Sequence, residues 1–156
     1  MLRRSLACFA AVVALSSCAP LGQRSPMVQD TLVGAWLAEV TLRDCATGQP
    51  TGAPPFLALV VFHAGGTLSE ASGPSLRRTP SFGAWSRSGQ NEYFAVSQLL
   101  TYDANGSPSG AQEIRRTIRL SPDGKRFSAE TRTVGTDASG TVVLRGCARG
   151  DATRVE

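Results

Sequence analysis

From Trp36 onward the apolar and polar side chains alternate one by one. Trp36, Ala38, Val40 and Leu42 share one face of an extended chain, while Glu39, Thr41 and Arg43 share the other. Phe56–Phe62 is an unbroken apolar run, which predicts a strand buried on both faces; Ala64-Gly65-Gly66 then turns the chain into residues 67–71. Residues 73–81 hold two prolines and two arginines and read as a loop. Strands are predicted over 83–87, 93–102, 111–120, 127–134 and 141–147. Between them lie Ser88-Gly89-Gln90-Asn91, Asp103-Ala104-Asn105-Gly106, Ser121-Pro122-Asp123-Gly124 and Asp137-Ala138-Ser139-Gly140, each rich in turn formers. Eight strands at spacings of about 10–15 residues, with no helical period, predict an all-β domain. An eight-stranded antiparallel up-and-down barrel is the simplest topology, because short turns join neighbours and closure leaves no free edge. A β-sandwich is the alternative.

The pattern before residue 34 differs. Arg3 and Arg4 precede an uninterrupted apolar run over 6–15, about half the length a transmembrane helix needs. A basic head, a short apolar core and small residues describe a secretory signal peptide. Leu15-Ser16-Ser17-Cys18 resembles the lipobox of bacterial lipoprotein precursors, and that resemblance implies removal of residues 1–17 and acylation of Cys18. Cleavage after Ala19 is the rival reading, but it would place Pro20 just beyond the scissile bond. Residues 18–31 then form a lipidated linker and 32–156 the barrel domain. The expected location is the bacterial cell envelope, with the membrane as partner through Cys18. Ala19, where an aspartate would direct retention, resembles the pattern of outer-membrane lipoproteins facing the periplasm.

With residues 1–17 removed, 139 of 156 residues remain (156 − 17), enough for one domain with its own core. The net charge falls from +4 to +2 as Arg3 and Arg4 leave, too little for a nucleic-acid binder. Cys8 departs with the leader and Cys18 takes lipid, leaving Cys45 and Cys147. In an oxidising compartment an isolated pair is expected to form a disulfide. With His63 the single histidine, a Cys/His zinc site lacks ligands and no metal is expected. Closing a loop of roughly 100 residues stabilises a fold by about 4.7 kcal/mol in the chain-entropy model. One conflict accompanies this pairing. If the last strand ended at Cys147 and ran antiparallel to the first, the two cysteines would lie roughly 20 Å apart, against the ~7 Å a disulfide allows.

Gly34-Ala35-Trp36, opening the first strand, resembles the G-x-W signature of the calycin group, which includes lipocalins and avidins. Asp44-Cys45-x-Thr-Gly, Phe62-His63-x-Gly-Gly and Gly146-Cys147 are similar to a group of uncharacterised bacterial secreted proteins with calycin-like barrels. The resemblance implies a tryptophan plugging the closed end, with an arginine from the final strand over it; Arg145 and Arg149 are the candidates. Gly83-Ala84-Trp85 repeats the tripeptide, as a half-barrel repeat would. Some calycin-like barrels hold haem through one histidine, so His63 is where a haem would be ligated; no other cofactor is expected.

Nucleophilic catalysis finds little support, since no Gly-x-Ser-x-Gly elbow is present and His63 has no evident orienting acid. Arg116 shares its strand phase with Ile114, Ile118 and Leu120 and so points inward, where it must meet a ligand or an interior acid such as Glu70 or Glu130. Trp85, Tyr93, Phe94, Tyr102 and Phe127 read as core filling or as a ligand cage. The candidate ligand residues are therefore Arg116, Trp85, Tyr102 and His63. The leading expectation is a non-enzymatic envelope lipoprotein holding a small apolar or amphipathic molecule. A packed, ligand-free interaction barrel is the alternative, and an enzyme on such a barrel the lesser one. The two leading readings separate on whether the interior holds a cavity.

Overall fold

The computed structural model describes residues 32–73 and 77–156. The sequence-predicted 1–17 leader, the lipidated Cys18 and the 18–31 linker lie outside the described residues. Eight strands follow one another: β1 (Gly34–Arg43), β2 (Phe56–Phe62), β3 (Thr67–Ser72), β4 (Ser81–Arg87), β5 (Glu92–Tyr102), β6 (Pro108–Leu120), β7 (Arg126–Asp137) and β8 (Val142–Arg154). They close into an antiparallel up-and-down barrel in sequence order, β8 pairing back onto β1. This is the predicted topology, consistent with a calycin-like barrel, and the sandwich alternative falls.

Alternation places Trp36, Ala38, Ala58, Val60, Phe62, Leu68, Tyr93, Ala95 and Ile118 inside. One prediction is corrected here. β2 is buried on one face only, with Leu57 and Leu59 more than half exposed on the outside. A single closed sheet has no second layer to cover its exterior, so even a continuous apolar run must present alternate residues to solvent.

The last strand is also longer than predicted. β8 runs seven residues beyond Cys147, to Arg154, and its register sets Arg43 opposite Cys147 and Trp36 opposite Arg154. This removes the cysteine conflict. β6, β7 and β8 have 12 or 13 residues against ten in β1 and overshoot its end, so the middle of β8 meets the top of β1. Asp44 Oδ1 accepts the Thr47 N–H at 2.7 Å and the Ala46 N–H at 3.0 Å, bending the chain immediately after β1. Cys45 and Cys147 are bonded, with Cα atoms 5.2 Å apart.

The arginine over the tryptophan plug is Arg154, not Arg145 or Arg149. Its guanidinium carbon lies 4.2 Å from the Trp36 ring centroid, and it donates to the Val33 and Gly124 carbonyls. Ending the strand at Cys147 hid this residue. Arg149 faces outward, paired with Asp151 and Glu130. Both G-x-W glycines have steric reasons. Gly34 sits at φ +138°, with the Arg154 guanidinium where a Cβ would go; a Cβ on Gly83 would lie 1.9 Å from the Val96 carbonyl oxygen of β5.

Candidate functional site

The barrel is closed at one end and hollow at the other. At the closed end Trp36, Phe127, Phe62, Trp85 and Tyr93 form a chain of edge-on ring contacts with centroids 4.9 to 6.1 Å apart. Such pairs add about 0.5–1.5 kcal/mol each beyond their burial. Trp36 Nε1 donates to the Leu32 carbonyl, and Trp85 Nε1 to the His63 and Thr67 carbonyls, so neither indole leaves a buried donor unpaired.

Above this aromatic floor lies a cavity of about 730 Å³, open towards the end that carries the β1–β2 loop. Phe62 and Phe127 form its base, Ala58, Val60, Ile114 and Ala129 its lower wall, and Pro54, Pro55 and Phe56 part of its mouth. Its shape follows from small residues. The inward positions of β8 are Gly146, Ala148, Gly150 and Ala152, facing Ala129 on β7 and Ala38 and Ala58 on β1 and β2. No large side chain enters from that side, so the space stays unfilled. Sequence reading missed these residues. Their signal was there, a period-two run of Gly and Ala over 146–152, but all of it after Gly146 lay past the predicted end of the strand.

The β4–β5 side of the interior is closed by an ion pair. Arg116 Nη2 donates to Glu70 Oε2, which also accepts from Ser81 Oγ at 3.3 Å. Arg116 comes from β6 and Glu70 from β3, so the pair bridges strands that are not neighbours, and both side chains are nearly buried. Of the two acids considered for Arg116, Glu70 is its partner, while Glu130 lies outside. Arg116 nonetheless lines the cavity, and its Nη1 is buried with no hydrogen-bond partner.

The other sequence-predicted ligand residues do not join Arg116. Trp85 is buried in the closed end and does not line the cavity. Tyr102 ends β5 and lies off the lining. His63 is exposed at the closed end, its Nε2 3.1 Å from Ser69 Oγ. Of the five aromatics read as core or cage, Trp85, Tyr93 and Phe127 are buried, whereas Phe94 faces outward. Among the described residues no group of three or more His, Cys, Asp or Glu side chains is arranged to hold a metal ion.

Comparison of the chain with protein-family models, with curated proteins and with solved structures finds no match.

Proposed function

We propose that this protein is a non-enzymatic, lipid-anchored envelope protein that holds a small apolar or amphipathic molecule in its barrel. The observation that carries the reading is the hollow upper half. A cavity of about 730 Å³ falls within the size range of small-molecule sites and has a mostly apolar wall. A barrel serving only as a scaffold has no need of a Gly-Ala-Gly-Ala strand face that leaves its interior unfilled. The acid on the cavity wall is already committed to Arg116 and Ser81, which favours binding over acid–base chemistry. The location rests on residues 1–18, where a leader ends in a lipobox-like Leu15-Ser16-Ser17-Cys18. A domain on so short a tether would exchange its ligand close to the membrane surface.

Native mass spectrometry of the protein purified from its own host tests the binding reading. One small molecule per chain is expected, and Ala148→Phe, which fills the cavity from β8, abolishes it without loss of the fold. A ligand-free mass for wild type, or equal occupancy in the filled variant, would refute the proposal. Cys18→Ser is expected to move the protein from the membrane to the soluble fraction.

A further inference from the structure

The outside of the barrel is divided in two. On β1–β5 the outward positions carry Leu37, Leu57, Leu59, Phe82 and Phe94, all exposed, with Phe82 the most open at 64%. The register makes this one continuous face: Leu37 stands opposite Leu59, Val61 opposite Ser69, Ser69 opposite Phe82, and Ala84 opposite Val96. Away from the strand ends, Glu39 is the one charge on it among the described residues. On β6–β8 the outward positions include Glu113, Arg115, Arg119, Glu130, Arg132 and Arg149, most of them in surface ion pairs. A barrel that crossed a bilayer would need an apolar belt on every side, and the β6–β8 face rules that out. Scattered exposed leucines are ordinary, whereas an apolar face continuous over five strands and backed by a charged one marks a contact surface.

Size and shape select what covers it. Four strand spacings of about 4.8 Å and four or five residues of about 3.3 Å give a patch of roughly 300–400 Å². A stable pair of proteins needs about 800 Å² from each partner. Two convex barrels also meet along little more than a line, whereas a fluid lipid surface moulds itself to a cylinder. The chain before the barrel points the same way. Leu32 leads directly into β1 at one edge of the apolar face, its carbonyl fixed by Trp36 Nε1. Cys18 lies fourteen positions earlier, a span of at most about 50 Å. We infer that the outer face of β1–β5 lies side-on against a phospholipid surface, with Leu57, Leu59, Phe82 and Phe94 entering the acyl boundary and β6–β8 turned to water. The inference rests on the anchoring part of the proposed function and adds to it the orientation of the body. A patch too small to hold a free protein suffices here, because a short tether supplies an effective concentration in the millimolar range. With Glu39 its one charge between the strand ends, the face binds by apolar burial and not by attraction to anionic headgroups.

The test uses the full chain, expressed in its own host and reconstituted on vesicles of phosphatidylcholine brominated along the acyl chains, which quench a nearby indole. Leu59→Trp puts a reporter on the apolar face and Arg132→Trp one on the charged face. Trp36 and Trp85 are buried and common to both, and the unsubstituted chain gives their share. Quenching is expected to be at least about threefold stronger in Leu59→Trp, as for an indole about 5–10 Å into the headgroup boundary. It should change little with added salt. Adding Leu57→Ser and Phe82→Ser, both at exposed positions that leave the fold intact by circular dichroism, should lower it towards the Arg132→Trp level. Equal quenching at the two sites, or quenching that salt abolishes, overturns the docking inference, while flotation of the acylated chain with the vesicles keeps the anchor reading. A Leu59→Trp indole shielded from aqueous acrylamide but not quenched by brominated lipid also overturns it, in favour of a second copy or residues 19–31 on the face. A chain that neither carries acyl groups nor floats with the vesicles removes both readings.

Discussion

Deleting the interior acid shows what the Glu70–Arg116 pair does. Glu70 and Arg116 side chains are only 5% and 11% exposed, and Glu70 Oε2 is the acceptor for both Arg116 Nη2 and Ser81 Oγ. In Glu70→Ala the guanidinium stays buried with its counter-charge gone, and Nη1 has no partner even in the intact protein. Removing one member of a buried pair costs about 3–5 kcal/mol, because the uncompensated charge remains. For a domain of this size that corresponds to a melting temperature lower by roughly 10–20 °C. Urea unfolding followed by tryptophan fluorescence, with the disulfide oxidised throughout, is the assay, since Trp36 and Trp85 both report on the core. The companion is Glu70→Leu/Arg116→Met, which removes both charges and keeps apolar volume. It is expected to recover most of the loss, as apolar replacements of buried pairs commonly do. A Glu70→Ala penalty below about 1 kcal/mol would refute the reasoning. It would mean that water reaches Arg116 through the cavity and that the pair behaves as a surface bridge.

Two further outcomes follow from the same structure. Replacing Cys45 and Cys147 together with serine frees a loop of 102 residues of sequence separation. Urea unfolding should show a loss of up to about 4.7 kcal/mol, and no measurable loss would refute the chain-entropy account. Asp44, Asp123 and Asp137 have pKa values held below the usual 3.8, Asp44 chiefly by the Thr47 N–H, Asp123 by the Ser121 hydroxyl and Asp137 by the Ser139 hydroxyl. Groups with depressed folded-state values contribute stability above their unfolded value and lose it as pH falls through the folded one. The urea midpoint should therefore be unaffected by these groups from pH 7 to about 5 and decline below about 4. Asp44→Asn/Asp123→Asn/Asp137→Asn should flatten that decline, and an unchanged slope would count against the assignment.

Much of the architecture was legible in the chain because it is written in local chemistry. The period-two pattern of Trp36 to Leu42 and the turns at 64–66, 103–106, 121–124 and 137–140 state where strands run and end. The disulfide pairing followed from cysteine arithmetic, and the inward phase of Arg116 from its neighbours on one strand. Three things lay beyond that reach. The partner of Arg116 depends on which residue of β3 stands across the barrel from β6, a relation between distant strands. The arginine over Trp36 depends on the β1–β8 register, which brings residue 154 to residue 36 across the closure. Whether the barrel is hollow depends on the summed volume of inward side chains from all eight strands. The alternation of one strand states which way its residues point, but only closure brings the small faces of β8, β7, β1 and β2 around one space. Local sequence set the strands and their facing; the enclosed volume and the groups that meet across it belong to the tertiary structure, because both are sums over residues that are neighbours only after the ring has closed.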